Sequence, residues 1–333
     1  MHSSNQVILG VNVPWWGRSY GHDIGPNQRY PSWAVWYNRD LVDRYVDWLC
    51  QCGVGCIRIW LFENGEGLVY DQNGLITGLH PVFMKNLDHL VTATRRVGLK
   101  VYWTLLDANS CFRNGDTITY SILSNPDRMD VFVRTVLPML MPILSRNSWA
   151  IDLCNEPEAV VTGNSGNWTT SGLSWPQIGA TLEILANGLR HFMPEHPIAV
   201  GSGWHECQNV RSGVYDRLAV RLSFLDFHAQ RLDAYVSGRA AGPSGNGMVV
   251  VGELGVGGDP ASPVSREEWR VAQSVLANKL ETAVQGEYAA IFLWYGSGSK
   301  DRDRGGLVYG EEGSPALHYL ARMTGGRVDA CPI

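Results

Sequence analysis

The amino-acid sequence predicts an α/β fold, a single-domain (β/α)8 TIM barrel, on three observations. Short apolar runs recur at eight places along the 333 residues. Stretches of helical periodicity lie between them, and no internal repeat, low-complexity tract or long linker divides the chain. Strands alternating with helices imply right-handed crossovers and a parallel sheet covered on its outer face, and eight such units in about 300 residues close into a barrel more readily than they form an open sheet. The expected domain is the whole chain, 1–333, with its barrel core at about 7–323.

Each element has its own signal. The apolar runs are 7–13, 56–62, 100–106, 149–154, 198–201, 222–227, 248–252 and 289–294. A helix is expected over 40–50, and a second over 81–97 that stops at Gly98, a residue suited to a helix end. Further helices are expected over 128–144 and 176–192. The last, 266–287, opens at "SPVSREEW", with a serine cap followed by acidic residues.

Composition narrows the function. The formal net charge is −5 and the lysines and arginines are scattered, so neither nucleic acid nor an anionic membrane is an expected partner; a neutral or small substrate is. The amino terminus lacks a basic segment followed by an apolar one, and nothing later reaches about 18 consecutive apolar residues. The expectation is a cytoplasmic protein as the chain stands, or a secreted one if a leader has been removed. The seven cysteines, at 50, 52, 56, 111, 154, 207 and 331, form no regular framework and read as reduced thiols. The sequon Asn167-Trp168-Thr169 matters only in a eukaryotic secretory setting.

In such a barrel, side chains at the carboxyl ends of the strands share one mouth. Here those ends carry Asn12, Trp15 and Trp16; Arg58 and Trp60; Asp107 and Asn109; Asn155 and Glu156; Trp204 and His205; His228; Glu253; and Trp294 with Tyr295. Two of them stand out. "AIDLCNEPEA" ends an apolar run on Asn155, Glu156 and Pro157, and the proline stops the strand and is expected to hold Glu156 extended. "MVVVGELGV" brings Glu253 to the end of a strand buried on both faces. Burying a lone carboxylate costs several kcal/mol, so both glutamates need partners or a task.

Strands four and seven face each other across an eight-stranded barrel. Paired carboxylates across a cleft are what glycosidic bond cleavage requires, one protonating the leaving oxygen while the other attacks the sugar. The acid must hold a proton and the nucleophile must stay ionised, for which Arg58 is the available cation. Thirteen tryptophans, six of them (Trp15, Trp16, Trp60, Trp103, Trp204 and Trp294) at or near strand ends, suit the apolar faces of pyranose rings.

On these residues the chain resembles a clan A glycoside hydrolase and is most similar to the cellulase-like glycoside hydrolase family 5, over about 7–323. The resemblance implies a retaining β-glycoside hydrolase with no cofactor and no metal, acting on a carbohydrate substrate of β-1,4-glucan or β-mannan type. It implies that Glu156 is the acid/base, that Glu253 is the nucleophile oriented by Arg58, and that Asn155 contacts the sugar 2-hydroxyl. It assigns His228 to the strand-six histidine and Trp294 to the sugar-stacking tryptophan of strand eight. Trp15, Trp16, Trp60 and Trp204 are the further candidates for binding sugar. Where family 5 members place a tyrosine two residues after that histidine, this chain has Gln230, with Tyr235 and Tyr295 as alternative donors.

Rival readings lack parts. "GELGVGG" has neither the GxGxxG spacing nor a Walker lysine, Asp226, His228 and Asp107 are too few for a metal-dependent hydrolase, and no Gly-x-Ser-x-Gly elbow occurs. Glu63 and Glu66 are read as loop residues without a catalytic role. A catalytically silent carbohydrate-binding barrel and a transglycosylase using the same glutamates remain alternatives.

Overall fold

The computed structural model describes residues 7–17, 21–113, 115–161, 172–203, 220–230, 248–257, 263–286, 288–296 and 306–332. Each of the eight apolar runs forms a strand: β1 (Ile8–Asn12), β2 (Cys56–Trp60), β3 (Lys100–Asp107), β4 (Ser148–Asn155), β5 (Ile198–Ser202), β6 (Phe224–Ala229), β7 (Met248–Leu254) and β8 (Ala290–Leu293). Every strand pairs in parallel with its neighbours in chain order, and β1 pairs with β8 to close the barrel.

The described helices are α1 (Arg39–Gln51), α2 (Pro81–Arg96), α3 (Ala108–Arg113), α4 (Thr117–Ser124), α5 (Pro126–Leu144), α6 (Trp175–Phe192), α7 (Arg266–Val284) and α8 (Pro315–Thr324). The expected helices correspond to α1, α2, α5, α6 and α7, shifted by at most a few residues. Their starts follow local chemistry: Asn125 caps α5 ahead of Pro126, and Ser265 with Glu268 forms a capping box on α7. The short α3 and α4, the terminal α8 and a hairpin of Leu68–Tyr70 with Ile76–Leu79 are additions.

The core has two compartments. Outside the strands, leucine, valine and isoleucine of the sheet meet the apolar faces of the helices. Inside, at the amino-terminal end, Cys56, Tyr102, Ala150, Ala199, Phe224, Val250, Ala290 and Phe292 pack as one cluster, one or two from each of seven strands. Two residues further along, the same alternation brings Arg58, Thr104, Asp152 and Asp226 into the interior. The apolar floor therefore carries a buried polar layer, and the candidate site stands on it.

Cys50, Cys52, Cys56, Cys111 and Cys154 are free thiols, and among the described residues no helix is long and apolar enough to cross a membrane.

Candidate active site

Arg58 organises the polar layer. It has no exposed surface, and its Nη1 donates to Glu253 Oε1 at 2.7 Å and to Asn12 Oδ1 at 3.1 Å. Its Nη2 donates to Asp152 Oδ2 and Asn155 Oδ1, both at 2.8 Å. Burial alone would favour the neutral guanidine, but Glu253, Asp152 and Asp226 outweigh it and hold Arg58 above its ordinary range. A planar fork with fixed donors suits four acceptors in a dry interior better than an ammonium does.

Both candidate carboxylates reach the mouth through irregularities in their strands. In β7, Val251 and Leu254 oppose residues of β8 only two apart, Ile291 and Leu293, so β7 carries one extra residue. Its pairing with β6 breaks at the same place, Phe227 opposing Val251 and His228 opposing Glu253. Val250 and Gly252 follow the inward alternation, and the bulge turns Glu253 inward as well. Gly252 is required here, because a Cβ would lie 2.1 Å from Asp226 Oδ1.

The other strand behaves alike. Between Asp152 and Asn155, β4 has one residue more than β5 between Ala199 and Gly201, and Asn155 follows Asp152 into the mouth. Asn155 also donates its amide to Asp107 Oδ1 at 2.9 Å, so both ends of that side chain are held.

Glu156 departs from the sequence expectation. The preceding-proline rule leads to an extended residue, yet Glu156 is left-handed, with φ 45° and ψ 59°. Its N–H donates to Gly201 O at 2.7 Å, and its carboxylate is gripped on both oxygens, Oε1 by His228 Nδ1 at 2.9 Å and Oε2 by Asn109 Nδ2 at 2.5 Å. A non-glycine residue in this region is strained, and such strain concentrates where surrounding contacts prescribe a side chain's position. Gly203 leaves the room, since a Cβ there would come within 2.6 Å of Glu156 Cδ.

His228 joins the two acids, its Nδ1 lying 2.9 Å from Glu156 Oε1 and 3.6 Å from Glu253 Oε2. Burial would discharge the ring, but Glu253 and the hydrogen bond to Glu156 push it up to about 9, so it is a cation at neutral pH. Glu253 is raised above the ordinary glutamate value by burial, against the pull of His228 and Arg58. The donor missing at the strand-six tyrosine position is supplied in place: Gln230 Nε2 donates to Glu253 Oε2. Tyr295 stands instead in the aromatic cluster, and Tyr235 lies outside the described residues.

One oxygen of Glu156, one of Glu253 and a nitrogen of His228 lie within 4.8 Å of one another, the spacing of a metal-ligand set. A charged His228, however, offers a proton at Nδ1 rather than a lone pair, and that proton is already directed at Glu156.

Trp15, Trp60 and Tyr295 form a buried aromatic cluster with the half-buried Trp294 packed on it, and the Trp294–Tyr295 peptide is cis. Trp16 is a correction. It is fully buried in the main hydrophobic core with its ring edge-on to Tyr45 of α1, and so it belongs to the core rather than to a sugar site. Trp204 lies outside the described residues. Glu63 and Glu66 are buried rather than water-facing: Glu63 accepts from Trp15 Nε1 at 2.9 Å, and Glu66 from the N–H groups of Ile24 and Gly25.

Asn109 was named only as a strand-end residue and Gln230 only as the occupant of the tyrosine position, and neither Asp152 nor Asp226 was given a role in the site. Asn109 and Gln230 had a usable signal, each falling just past a strand end. Asp152 and Asp226 had another, a charge at an inward position within an apolar strand.

Fold and site together define a (β/α)8 barrel with two acidic strand ends converging on one histidine at its mouth. No family model matches the sequence, and no curated protein does. Among solved structures it is similar to the endo-1,4-β-mannanase from Eisenia fetida, at 16% identity and a TM-score of 0.69, over 99% of this chain and 96% of that one. It is also similar to the β-mannanase from the blue mussel Mytilus edulis, at 14% identity and a TM-score of 0.67, over 98% and 94%. An exo-β-1,4-mannosidase from Opitutaceae bacterium strain TAV5 aligns at 15% identity and a TM-score of 0.59, over 96% of this chain and 59% of its own. The shared feature is the (β/α)8 barrel fold, as the apolar runs and intervening helices predicted.

Proposed function

We propose that this chain is a retaining β-glycoside hydrolase acting on β-1,4-linked oligo- or polysaccharides of mannan or glucan type. One observation carries the reading: an oxygen of Glu156 and an oxygen of Glu253 lie within 4.8 Å of each other. Retaining enzymes hold their carboxyl groups roughly 5–5.5 Å apart, whereas an inverting pair needs roughly 6.5–9.5 Å to admit a water. The mannan-type reading draws further support from the similarity to two β-mannanases and a β-1,4-mannosidase.

In this reading Glu253, ionised by Arg58, His228 and Gln230, attacks the anomeric carbon. Glu156 gives a proton to the leaving oxygen. That proton is held in the Glu156–His228 pair, whose facing atoms are 2.9 Å apart. Glu156 then takes a proton from water, which releases the sugar with its configuration retained. Asn155, locked by Arg58 and Asp107, presents its amide beside the nucleophile, where a 2-hydroxyl is recognised. Trp294 supplies the ring face.

The test is hydrolysis of a panel of aryl β-glycosides, soluble β-mannans and β-glucans by wild type and Glu253→Gln, with anomeric configuration followed by NMR. The reading expects retained configuration and near-complete loss of turnover in the variant. Inverted product, or an unaffected variant, contradicts it. Ligand binding without any turnover moves the protein to a silent binding barrel.

A further inference from the structure

The aromatic side of the mouth contains a carboxylate that the double displacement does not use. Glu63 opens the short turn Glu63–Gly65 just beyond β2 and is buried, and its Oε2 accepts the indole N–H of Trp15 at 2.9 Å. Trp15 meets each of the other three rings of its cluster edge-on, Trp60 at 5.8 Å, Trp294 at 5.7 Å and Tyr295 at 5.3 Å. Of these four rings Trp294 is the half-buried one, so any sugar stacked on it presses on a ring backed by Trp15.

Edge-to-face packing tolerates rotation of an indole far less when its N–H is tied to one acceptor. Glu63 provides such an acceptor for the Trp15 indole, at 2.9 Å. Burial, with Asp107, Asp23 and Glu66 nearby, holds the Glu63 carboxyl well above the usual range, which favours the neutral acid in this dry position. Its carbonyl oxygen still accepts the indole proton.

We propose that Glu63 is the positioning residue of the sugar platform: by accepting the Trp15 N–H it orients the ring on which Trp294 rests, and so controls how tightly a sugar is held. The nature of the ligand rests on the glycosidase reading above. The orienting role does not.

The experiment compares Glu63→Leu, which removes the acceptor at similar volume, with Glu63→Gln, which keeps an oxygen for the indole, and combines Glu63→Leu with Trp15→Phe. For a mannan- or glucan-type oligosaccharide, Glu63→Leu is expected to raise KM about tenfold with kcat within about threefold, and Glu63→Gln to restore the wild-type KM. The double variant should be no worse than the poorer single one, because both remove the same bond. Additive losses, or a Glu63→Gln enzyme as impaired as Glu63→Leu, would overturn the proposal.

A second readout needs no substrate. The near-ultraviolet circular dichroism of the free protein reports the packing of the four rings, and should change in Glu63→Leu but not in Glu63→Gln. A wild type that hydrolyses nothing sinks the glycosidase reading, and an unchanged spectrum in folded Glu63→Leu sinks the role of Glu63.

Discussion

Gln230 donates its side-chain amide to Oε2 of Glu253, across the neighbouring ends of β6 and β7. The same oxygen faces His228 at 3.6 Å while Oε1 is held by Arg58, so the Glu253 carboxylate is gripped on both oxygens. An amide supplies the donor without an ionisable proton of its own. Gly255 makes room for it, since a Cβ there would sit 2.2 Å from Gln230 Oε1.

Gln230→Glu places a third carboxylate against Glu253. The expected result is a fall in kcat of about a hundredfold or more at neutral pH, with partial recovery towards low pH as the new acid protonates. Gln230→Ala, which merely removes the donor, should cost about tenfold. Steady-state kinetics across pH check both, and equal losses in the two variants would contradict the electrostatic account.

Arg58→Met deletes the guanidinium that bridges Glu253 and Asp152, both buried. Removing one partner of such a group costs about 3–5 kcal/mol because the remaining charges stay unpaired. Chemical denaturation should show a loss of that size, together with loss of turnover. A stability change under about 1 kcal/mol would mean that the acids are neutral in the folded state.

His228 makes stability depend on pH. Its folded value of about 9 lies above the ordinary 6.5, so its contribution is fully present below about pH 6.5 and is lost as pH rises through about 9. Asp226, pushed up to about 6, and Glu158, to about 7, both by burial, act in the same direction at lower pH. The Tm is therefore expected to fall from neutral pH to about pH 10, and to fall less in His228→Gln. An identical decline in that variant would assign the titration elsewhere.

Gly203→Ala introduces a Cβ 2.7 Å from Glu156 Oε1. Displacing the acid while sparing the nucleophile should slow substrates with poor leaving groups by about ten- to a hundredfold and leave activated aryl glycosides nearly unaffected. Stability should hold. Equal losses on both substrate types would place the damage outside the acid step.

Much of the barrel was readable from residues alone, because a strand buried on both faces shows as a continuous apolar run and each of the eight runs became a strand. Glu156, Glu253, Arg58, Asn155 and His228 were likewise reached by asking which polar residues end such runs, and the structure brings them together. What sequence could not give was direction. Trp15 and Trp16 are neighbours of identical chemistry, yet one lies in the mouth and the other in the core. The bulges in β4 and β7 are equally invisible, since one inserted residue leaves the apolar pattern intact while turning the next side chain around. The left-handed Glu156 was misread because tertiary bonds to Gly201, His228 and Asn109 outweigh the local preference before proline. Helices α3 and α4, at six and eight residues, are too short to show a period.

The central claim is that Glu253 forms a covalent bond to the sugar. Its most direct test is mass spectrometry of the protein after inactivation by a 2-deoxy-2-fluoro β-glycoside with an activated leaving group, followed by peptide mapping. One sugar per chain, carried by Glu253 and absent from Glu253→Gln, is the predicted result. Turnover that proceeds without any adduct, or an adduct on another residue, would contradict the account.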